Sequence, residues 1–354
     1  MIVIDINSGL GNQMLAYCVV LSMQKTNPNN MCYVETINFD IPEYGENVVS
    51  QWNGYELERI FGIATPNIKI HFNNEQWDRI MRGVRESKYW HNGGNYPPLF
   101  VKLFKKEGLV LHNLKGDFHD VTSFSHRKEK SFLERAKDSF FNTTSLGAEL
   151  KRLYNVINYQ KLSLNRAHPE KLFVKTEDDV FTGMWLFFKF NGNKIEEIED
   201  DIRKTFVFPD FSTEKNREFA KFLDSCNSVF IHARRGDMLS SNGWCYKSNY
   251  FRKAVKHIRK NVKDPVFVFF TNTGSIEWCK ENAKTFGLDY SKDKVFFVDW
   301  NMDDESYRDM QLMSHCKHGI ITCSTFGWWG AYFIKNPNKI TISPEPAINT
   351  TYHC

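Results

Sequence analysis

Six consecutive residues, His232-Ala233-Arg234-Arg235-Gly236-Asp237, follow directly on the apolar run Val229-Phe230-Ile231. A short buried strand that ends by releasing two guanidinium groups and a carboxylate builds a charged site at the carboxyl end of a sheet, where open α/β folds bind ligands. Arginine forks make paired charge-assisted hydrogen bonds worth roughly 1.5–3 kcal/mol apiece, which suits a phosphorylated anion better than lysine would. The competing reading is a surface Arg–Asp pair without a ligand. Two further segments bear on that choice. Cys323-Ser324-Thr325-Phe326-Gly327-Trp328-Trp329-Gly330 follows an apolar stretch and opens a helix. Ser324 and Thr325 there either cap the helix or offer hydroxyls and first-turn N–H groups to phosphate oxygens. The paired tryptophans read as core. One helix earlier, Tyr307, Met310 and Met313 recur at helical spacing, and Asp309 stands beside that apolar face. Its carboxylate is either a solvated charge or an acceptor for the ring N–H and exocyclic amine of a guanine. His318 precedes a strand and reads as structural.

A fourth segment, Ser8-Gly9-Leu10-Gly11-Asn12-Gln13-Met14, lies at the first strand–helix junction. Glycines there allow a tight turn and close approach of the backbone to a ligand. Met14 occupies the third glycine position of a dinucleotide fingerprint, and no Gly-Lys-Ser/Thr follows, so neither that fingerprint nor a Walker loop is complete. Asn12 and Gln13 favour a polar, ligand-facing loop over a plain βα turn.

Strands and helices must alternate to bring these groups to one edge. From about 214 onward they do: short, nearly all-apolar strands are predicted at 229–233, 266–271, 295–299, 319–323 and 339–342. Helical periodicity fills 248–262, 275–286, 304–316 and 327–335. That pattern is a doubly wound α/β domain with a parallel sheet covered on both faces. The amino-terminal part opens with a strand at 2–6, a helix at 12–25 and a strand at 31–34, then loosens into irregular insertions between 65 and 150. A helix is read at 196–203 and a linker at 210–218. The expected division is an amino-terminal α/β domain at 1–213 and a Rossmann-like domain at 214–354, facing each other across a cleft.

Composition narrows the function classes. A chain of 354 residues with 42% hydrophobic and 25% charged residues fits a two-domain globular protein. No apolar run approaches the roughly 18 residues that cross a bilayer, and Met1-Ile2-Val3-Ile4 lacks the basic start of a signal peptide, so a cytoplasmic location is expected. A net charge of +4 does not point to nucleic acid. The basic stretch from Arg252 to Lys260 reads as the solvated face of an amphipathic helix, with contact to an anionic membrane as the lesser reading. The eight cysteines form no CxxC and read as small core residues. No Asp-x-Asp metal clamp occurs, so arginine and helix-dipole charge would have to stabilise a departing diphosphate without Mg²⁺.

Gly9-Leu-Gly-Asn-Gln-Met14, His232-Ala-Arg-Arg-Gly-Asp237, and Asp309-Met-Gln-Leu-Met-Ser-His-Cys-Lys-His318 running into Ser324-Thr-Phe-Gly-Trp-Trp-Gly330 together resemble the bacterial α-1,2-fucosyltransferases of glycosyltransferase family 11. The resemblance implies a GT-B-like architecture in which 1–213 is the acceptor side and 214–354 binds GDP-β-L-fucose. It also implies metal-independent, inverting transfer of fucose to the 2-hydroxyl of a galactose-type residue. By the same resemblance His232 and Arg234 contact the donor, Arg234 being the principal diphosphate ligand and Arg235 its support. Asp237 closes the motif as an orienting carboxylate or a candidate base, weakened as a base by its arginines. Asp309 reads guanine, Ser324, Thr325 and Phe326 line the phosphates, and Asn12 and Gln13 face the donor from the other domain. The expected partners are GDP-fucose and a galactose-containing oligosaccharide, free or lipid-linked, with peripheral contact at the inner membrane; no cofactor is expected. Two departures bear on the acceptor and linkage. Gly183-Met184-Trp185-Leu186-Phe187 lacks the tyrosine and glutamine usual there, and Asn272-Thr273 replaces an acidic pair. The rival readings are a transferase of another linkage, donor or acceptor, a non-catalytic nucleotide- or glycan-binding protein and, more distantly, a nicotinamide-dependent oxidoreductase.

Overall fold

The computed structural model describes residues 1–41, 53–89, 97–113, 131–157, 175–182, 195–236, 239 and 243–344. The chain divides into two compact units, Met1–Glu129 with Ala167–Pro209 and Lys130–Arg166 with Asp210–Cys354. One break between the units falls at 209/210, where the sequence reading divides the chain at 213/214. The inner segment 130–166, which the sequence reading leaves with the amino-terminal domain, groups with the second unit.

The first unit holds a parallel sheet of β1 (Ile2–Asp5), β2 (Cys32–Glu35), β3 (His112–Asn113) and β4 (Val180–Thr182), in the order β2-β1-β4-β3. Every residue of β1 is buried, as a central parallel strand requires. Helix α1 (Leu10–Thr26) follows the glycine turn and is buried on nearly every face as far as Met23, its last turn reaching solvent at Gln24 and Lys25. Helices α2 (Leu57–Phe61), α3 (Asn74–Ser87) and α4 (Pro97–Lys106) come next. A capping box between Asn73 and Gln76 starts α3, which buries Trp77, Ile80, Met81 and Val84 on one face. These pack with Val3, Phe100, Phe104 and Phe181.

In the second unit, helices α5 (Phe132–Thr143) and α6 (Ser145–Ile157) precede the second stretch of the first unit, where α7 (Glu199–Thr205) lies. The stretch 65–150 thus carries helices where the sequence shows little periodicity. The predicted linker is also partly helical, because Thr213 accepts from the backbone N–H of Asn216 and starts α8 (Glu214–Ser225). The second sheet comprises β5 (Ser228–Ala233), β6 (Val266–Thr271), β7 (Lys294–Phe297), β8 (His318–Ile321) and β9 (Thr341–Ile342). All its pairings are parallel, in the order β7-β6-β5-β8-β9. Helices α9 (Tyr250–Asn261), α10 (Ile276–Glu281), α11 (Ala283–Phe286), α12 (Tyr307–His315) and α13 (Thr325–Phe333) connect them. The chain winds outward from β5 to β7 and returns to β8 on the other side of β5. Such a reversal opens a crevice at the carboxyl ends of the two inner strands.

Helix α9 buries Phe251, Ala254, Val255 and Ile258 and leaves its basic residues on the outer face, Arg259 pairing with Asp293 at 2.7 Å. Trp328 and Trp329 are core, Trp329 stacking on Phe333 with centroids 5.3 Å apart. Cys18, Cys32, Cys245, Cys279, Cys316 and Cys323 are free and buried, and Cys226 is free and half-buried. No helix among the described residues is long and apolar enough to cross a membrane.

Candidate functional site

The chain leaving β5 is fastened from several sides. The Thr322 hydroxyl accepts from the backbone N–H of Arg234 at 3.2 Å and donates to the His232 carbonyl at 3.3 Å, tying the end of β5 to the end of β8. From β6, the Thr271 hydroxyl donates to the Ala233 carbonyl at 2.7 Å. Asn272 accepts from the backbone N–H of Arg235 at 2.9 Å. The Tyr246 hydroxyl donates to the Arg234 carbonyl at 3.0 Å. Gly236 then turns at φ +53°, and a Cβ there would meet the Asn272 amide nitrogen at 2.7 Å. A backbone held this way keeps an arginine side chain on a rigid mount.

The two arginines have different surroundings. Arg235 lies over the Trp278 ring at 3.4 Å, with Tyr246 at 4.9 Å, so its guanidinium is spent on an aromatic stack. The Arg234 backbone N–H is turned toward β8, where Thr322 accepts it. His232 is buried, its ring 5.8 Å from that of Phe326. Among the described residues its Nδ1 has no hydrogen-bond partner. Burial, with the charge of Arg234 beside it, pulls its pKa down to about 3, so the imidazole is neutral. Gly327 passes directly over that ring: a Cβ at 327 would stand 2.4 Å from Nδ1.

Helix α13 starts at the same sheet edge. Ser324 is its N-cap in extended conformation (φ −149°, ψ 129°), yet its hydroxyl makes no capping bond. Ser324, Thr325 and Phe326 are all half-buried. Asp309 lies in the first turn of α12, which runs down to the amino end of β8 and therefore begins at the carboxyl edge. Its Oδ1 accepts from the Asn301 amide at 2.8 Å. Behind it, Asn216 donates to Asn301 at 2.8 Å and the Trp300 indole donates to Asn216 at 2.7 Å. Burial pushes the Asp309 carboxyl up to about 8; Asn301 lowers it, and the charge of Asp299 raises it further.

Residues 186–353 match the family described as glycosyl transferase family 11. That match lies wholly in the carboxyl-terminal half of the chain and takes in a little under half of its 354 residues. The chain is 30% identical over 173 residues to an alpha-1,2-colitosyltransferase of Escherichia coli, covering 47% of this chain and 55% of that protein. It is 31% identical over 164 residues to galactoside alpha-(1,2)-fucosyltransferase 1 of Saimiri boliviensis boliviensis, covering 43% and 41%. The chain thus spans about half the length of the curated relatives it matches. Among solved structures, fucosyltransferase NodZ from Bradyrhizobium aligns at a TM-score of 0.43 and 12% identity, over 93% of this chain and 91% of that one.

Within the family 11 region, the carboxyl edge of the second sheet gathers His232, Arg234, Arg235, Ser324, Thr325, Phe326 and Asp309. Gly327, Thr322, Asn216 and Asn301 receive no role in the sequence reading, and Asn272, read there only as a departure bearing on the acceptor, holds the backbone of Arg235. Gly327 carries a signal, a glycine inside an aromatic helix start, whereas the buried asparagines carry none. Asp237 and the element Gly183 to Phe187 lie outside the described residues. In the first unit, the fully buried Gln13 donates to the carbonyls of Ser8 at 2.9 Å and Gly54 at 2.8 Å and accepts from Glu56 N–H at 2.9 Å. Expected as a donor ligand, its amide is instead committed to bracing the glycine turn. Asn12, half-buried, occupies the first turn of α1. The same sheet holds a feature unseen in the sequence: Asp5 and Glu35 stand opposite each other across β1 and β2, both buried. Asn7 donates to Asp5 at 2.6 Å. Burial, with the Asp5 charge beside it, holds the Glu35 carboxyl well above the ordinary range.

Proposed function

We propose that this chain is an inverting, metal-independent fucosyltransferase. It moves L-fucose from GDP-β-L-fucose to the 2-hydroxyl of a terminal galactose-type residue on a free or lipid-linked oligosaccharide. The observation that carries the reading is the junction of β5 and β8. In the region matching family 11, Arg234 and the start of α13 share the point where the strand order reverses, joined through Thr322. In this reading Arg234 and the first-turn N–H groups of α13 take the charge of the leaving diphosphate. Ser324, Thr325 and Phe326 line the phosphates, and Arg235, held on Trp278, adds field without touching the ligand. His232, being neutral, serves as a packed hydrogen-bonding wall. Asp309 accepts from guanine, and Asn12 faces the sugar. The bond from fucose C1 to the β-phosphate oxygen breaks as the acceptor O2 bonds to C1 from the opposite face. The hydroxyl proton leaves to the Asp237 carboxylate or to a phosphate oxygen. A cytoplasmic protein in peripheral contact with the inner membrane would meet a lipid-linked acceptor.

The test is incubation of the purified chain with GDP-fucose and a panel of β-galactosides. GDP release and an α-1,2 linkage by NMR are expected; GDP binding without turnover on any acceptor would overturn the transferase reading. A second reading, transfer of colitose, is favoured by the E. coli relative, and a matched colitose donor in the same panel separates the two.

A further inference from the structure

The second unit carries a cavity of about 460 Å³ at the end of its sheet opposite the site above, lined by Asn227, Lys317, His318, Lys335, Asn336 and Pro337. Asn227 immediately precedes β5, Lys317 immediately precedes β8, and residues 335–337 lie between α13 and β9. The cavity therefore sits under the amino ends of the strands. Six residues of β5 separate it from Arg234, roughly 20 Å at about 3.3 Å per residue.

Its lining is one-sided in charge. The asparagine amides are already committed: Asn227 donates to the Lys263 carbonyl at 2.6 Å and Asn336 to the Lys317 carbonyl at 3.1 Å. His318 Nδ1 accepts from the backbone N–H of Ile340 at 3.0 Å. The neutral ring consequently carries its proton on Nε2 and has a donor to offer. Lys339 sets its ammonium on the carbonyls of Ala331 and Tyr332 at 2.8 and 3.0 Å. It thereby satisfies the end of α13 without help from the cavity lysines. No carboxylate lines the cavity, and among the described residues neither Lys317 nor Lys335 has an ion-pair partner. Nearby Asp224 is engaged by His315 at 3.0 Å. What remains is two ammonium groups and one ring N–H around a space of ligand size, with no carboxylate among the described residues to neutralise them.

We propose that this cavity is a second anion site, separate from the donor site, that takes a phosphate group through Lys317, Lys335 and His318. The phosphate of an anionic lipid headgroup and a free phosphate share the required chemistry. The experiment titrates inorganic phosphate into the native chain and into Lys317→Gln/Lys335→Gln by calorimetry at fixed ionic strength. Lys253→Gln/Lys256→Gln, on α9, serves as the charge-matched control. Loss of two charge-assisted contacts should weaken binding by about tenfold or more in the cavity variant and leave the control unchanged. Fucosyl transfer should be unaltered in both. Equal binding by native and cavity variant, equal loss in the control, or no saturable binding by the native chain overturns the proposal. Co-sedimentation with phosphatidylcholine vesicles containing phosphatidylglycerol, lost in the cavity variant, assigns the lipid headgroup. Phosphate binding without co-sedimentation assigns a free phosphate.

Discussion

Arg234 and Arg235 are neighbours with the same chemistry, and their surroundings give them different work. Arg235 lies on Trp278 and Tyr246. Removing it should cost about 1–2 kcal/mol of stability, read by urea denaturation, with turnover per folded molecule nearly kept. Arg234→Ala should instead lower kcat/KM by on the order of 10²-fold or more, as measured by GDP release. Asp309 makes a pH prediction. Its carboxyl is pushed up to about 8, so at lower pH it would have to shed a proton to take the proposed role of accepting from guanine as a carboxylate. GDP affinity should rise by up to about tenfold per unit as pH approaches 8 and then level off. Asn301→Leu, which removes the donor that favours the ionised form, should move that inflection upward, and Asp309→Asn should flatten it. Titration calorimetry across this range checks all three. The sequence singles out both arginines and Asp309 by type and position. It cannot separate Arg234 from Arg235, because the aromatic partners of Arg235 lie more than ten residues away along the chain. It likewise reads Gln13 as a ligand, since a buried amide clamp and an exposed one look alike in a sequence.

Strands β5 and β8 meet through Thr322, and α13 starts over His232 only because residue 327 has no side chain. Gly327→Ala would drive a methyl to within 2.4 Å of His232 Nδ1. The expected cost is about 1–3 kcal/mol together with weakened GDP binding, measured by urea midpoint and calorimetry. In the first sheet the Asp5–Glu35 pair links β1 to β2. Glu35 holds its proton in the folded protein well above the ordinary glutamate range, while the unfolded chain ionises near 4.3. The folded state therefore binds more protons above that pH, and stability should fall as pH rises, by up to about 1.4 kcal/mol per unit. Glu35→Gln should flatten the dependence between about pH 5 and 8 in urea titrations. The strands of the second sheet are legible to within one or two residues because all-apolar runs bounded by turns have few other solutions. Strands of two and three residues, such as β3 and β4, are too short to show a period. Helix α3 does carry one, in Trp77, Ile80, Met81 and Val84, hidden among the charged and amide residues that crowd the 65–150 stretch.

At the scale of the molecule, each unit has its own parallel sheet and its own core, and the chain crosses between units more than once. A ligand that binds the folded second unit stabilises it by mass action. GDP at a hundredfold excess over its Kd should add about 2.7 kcal/mol. The corresponding rise in Tm, followed by calorimetry, should be lost in Arg234→Ala; an equal rise in that variant would detach GDP from this site. The grouping of 130–166 with the second unit was not legible, because which surface a helical hairpin covers depends on partners remote in sequence.

By itself the sequence determined the chemistry at hand: two arginines and a carboxylate motif after a buried strand, a hydroxyl-bearing helix start, an acidic residue on the helix between, and a doubly wound frame to hold them. Residue type and local periodicity suffice for that, since both are properties of neighbours along the chain. Tertiary structure alone decided which arginine lies on the Trp278 and Tyr246 rings, that His232 is neutral and Gln13 internal, that Asp5 and Glu35 share one edge, and that two lysines beneath the sheet lack an ion-pair partner among the described residues. Each of these depends on burial and on groups brought together from distant segments, and burial is what sets the cost of a charge.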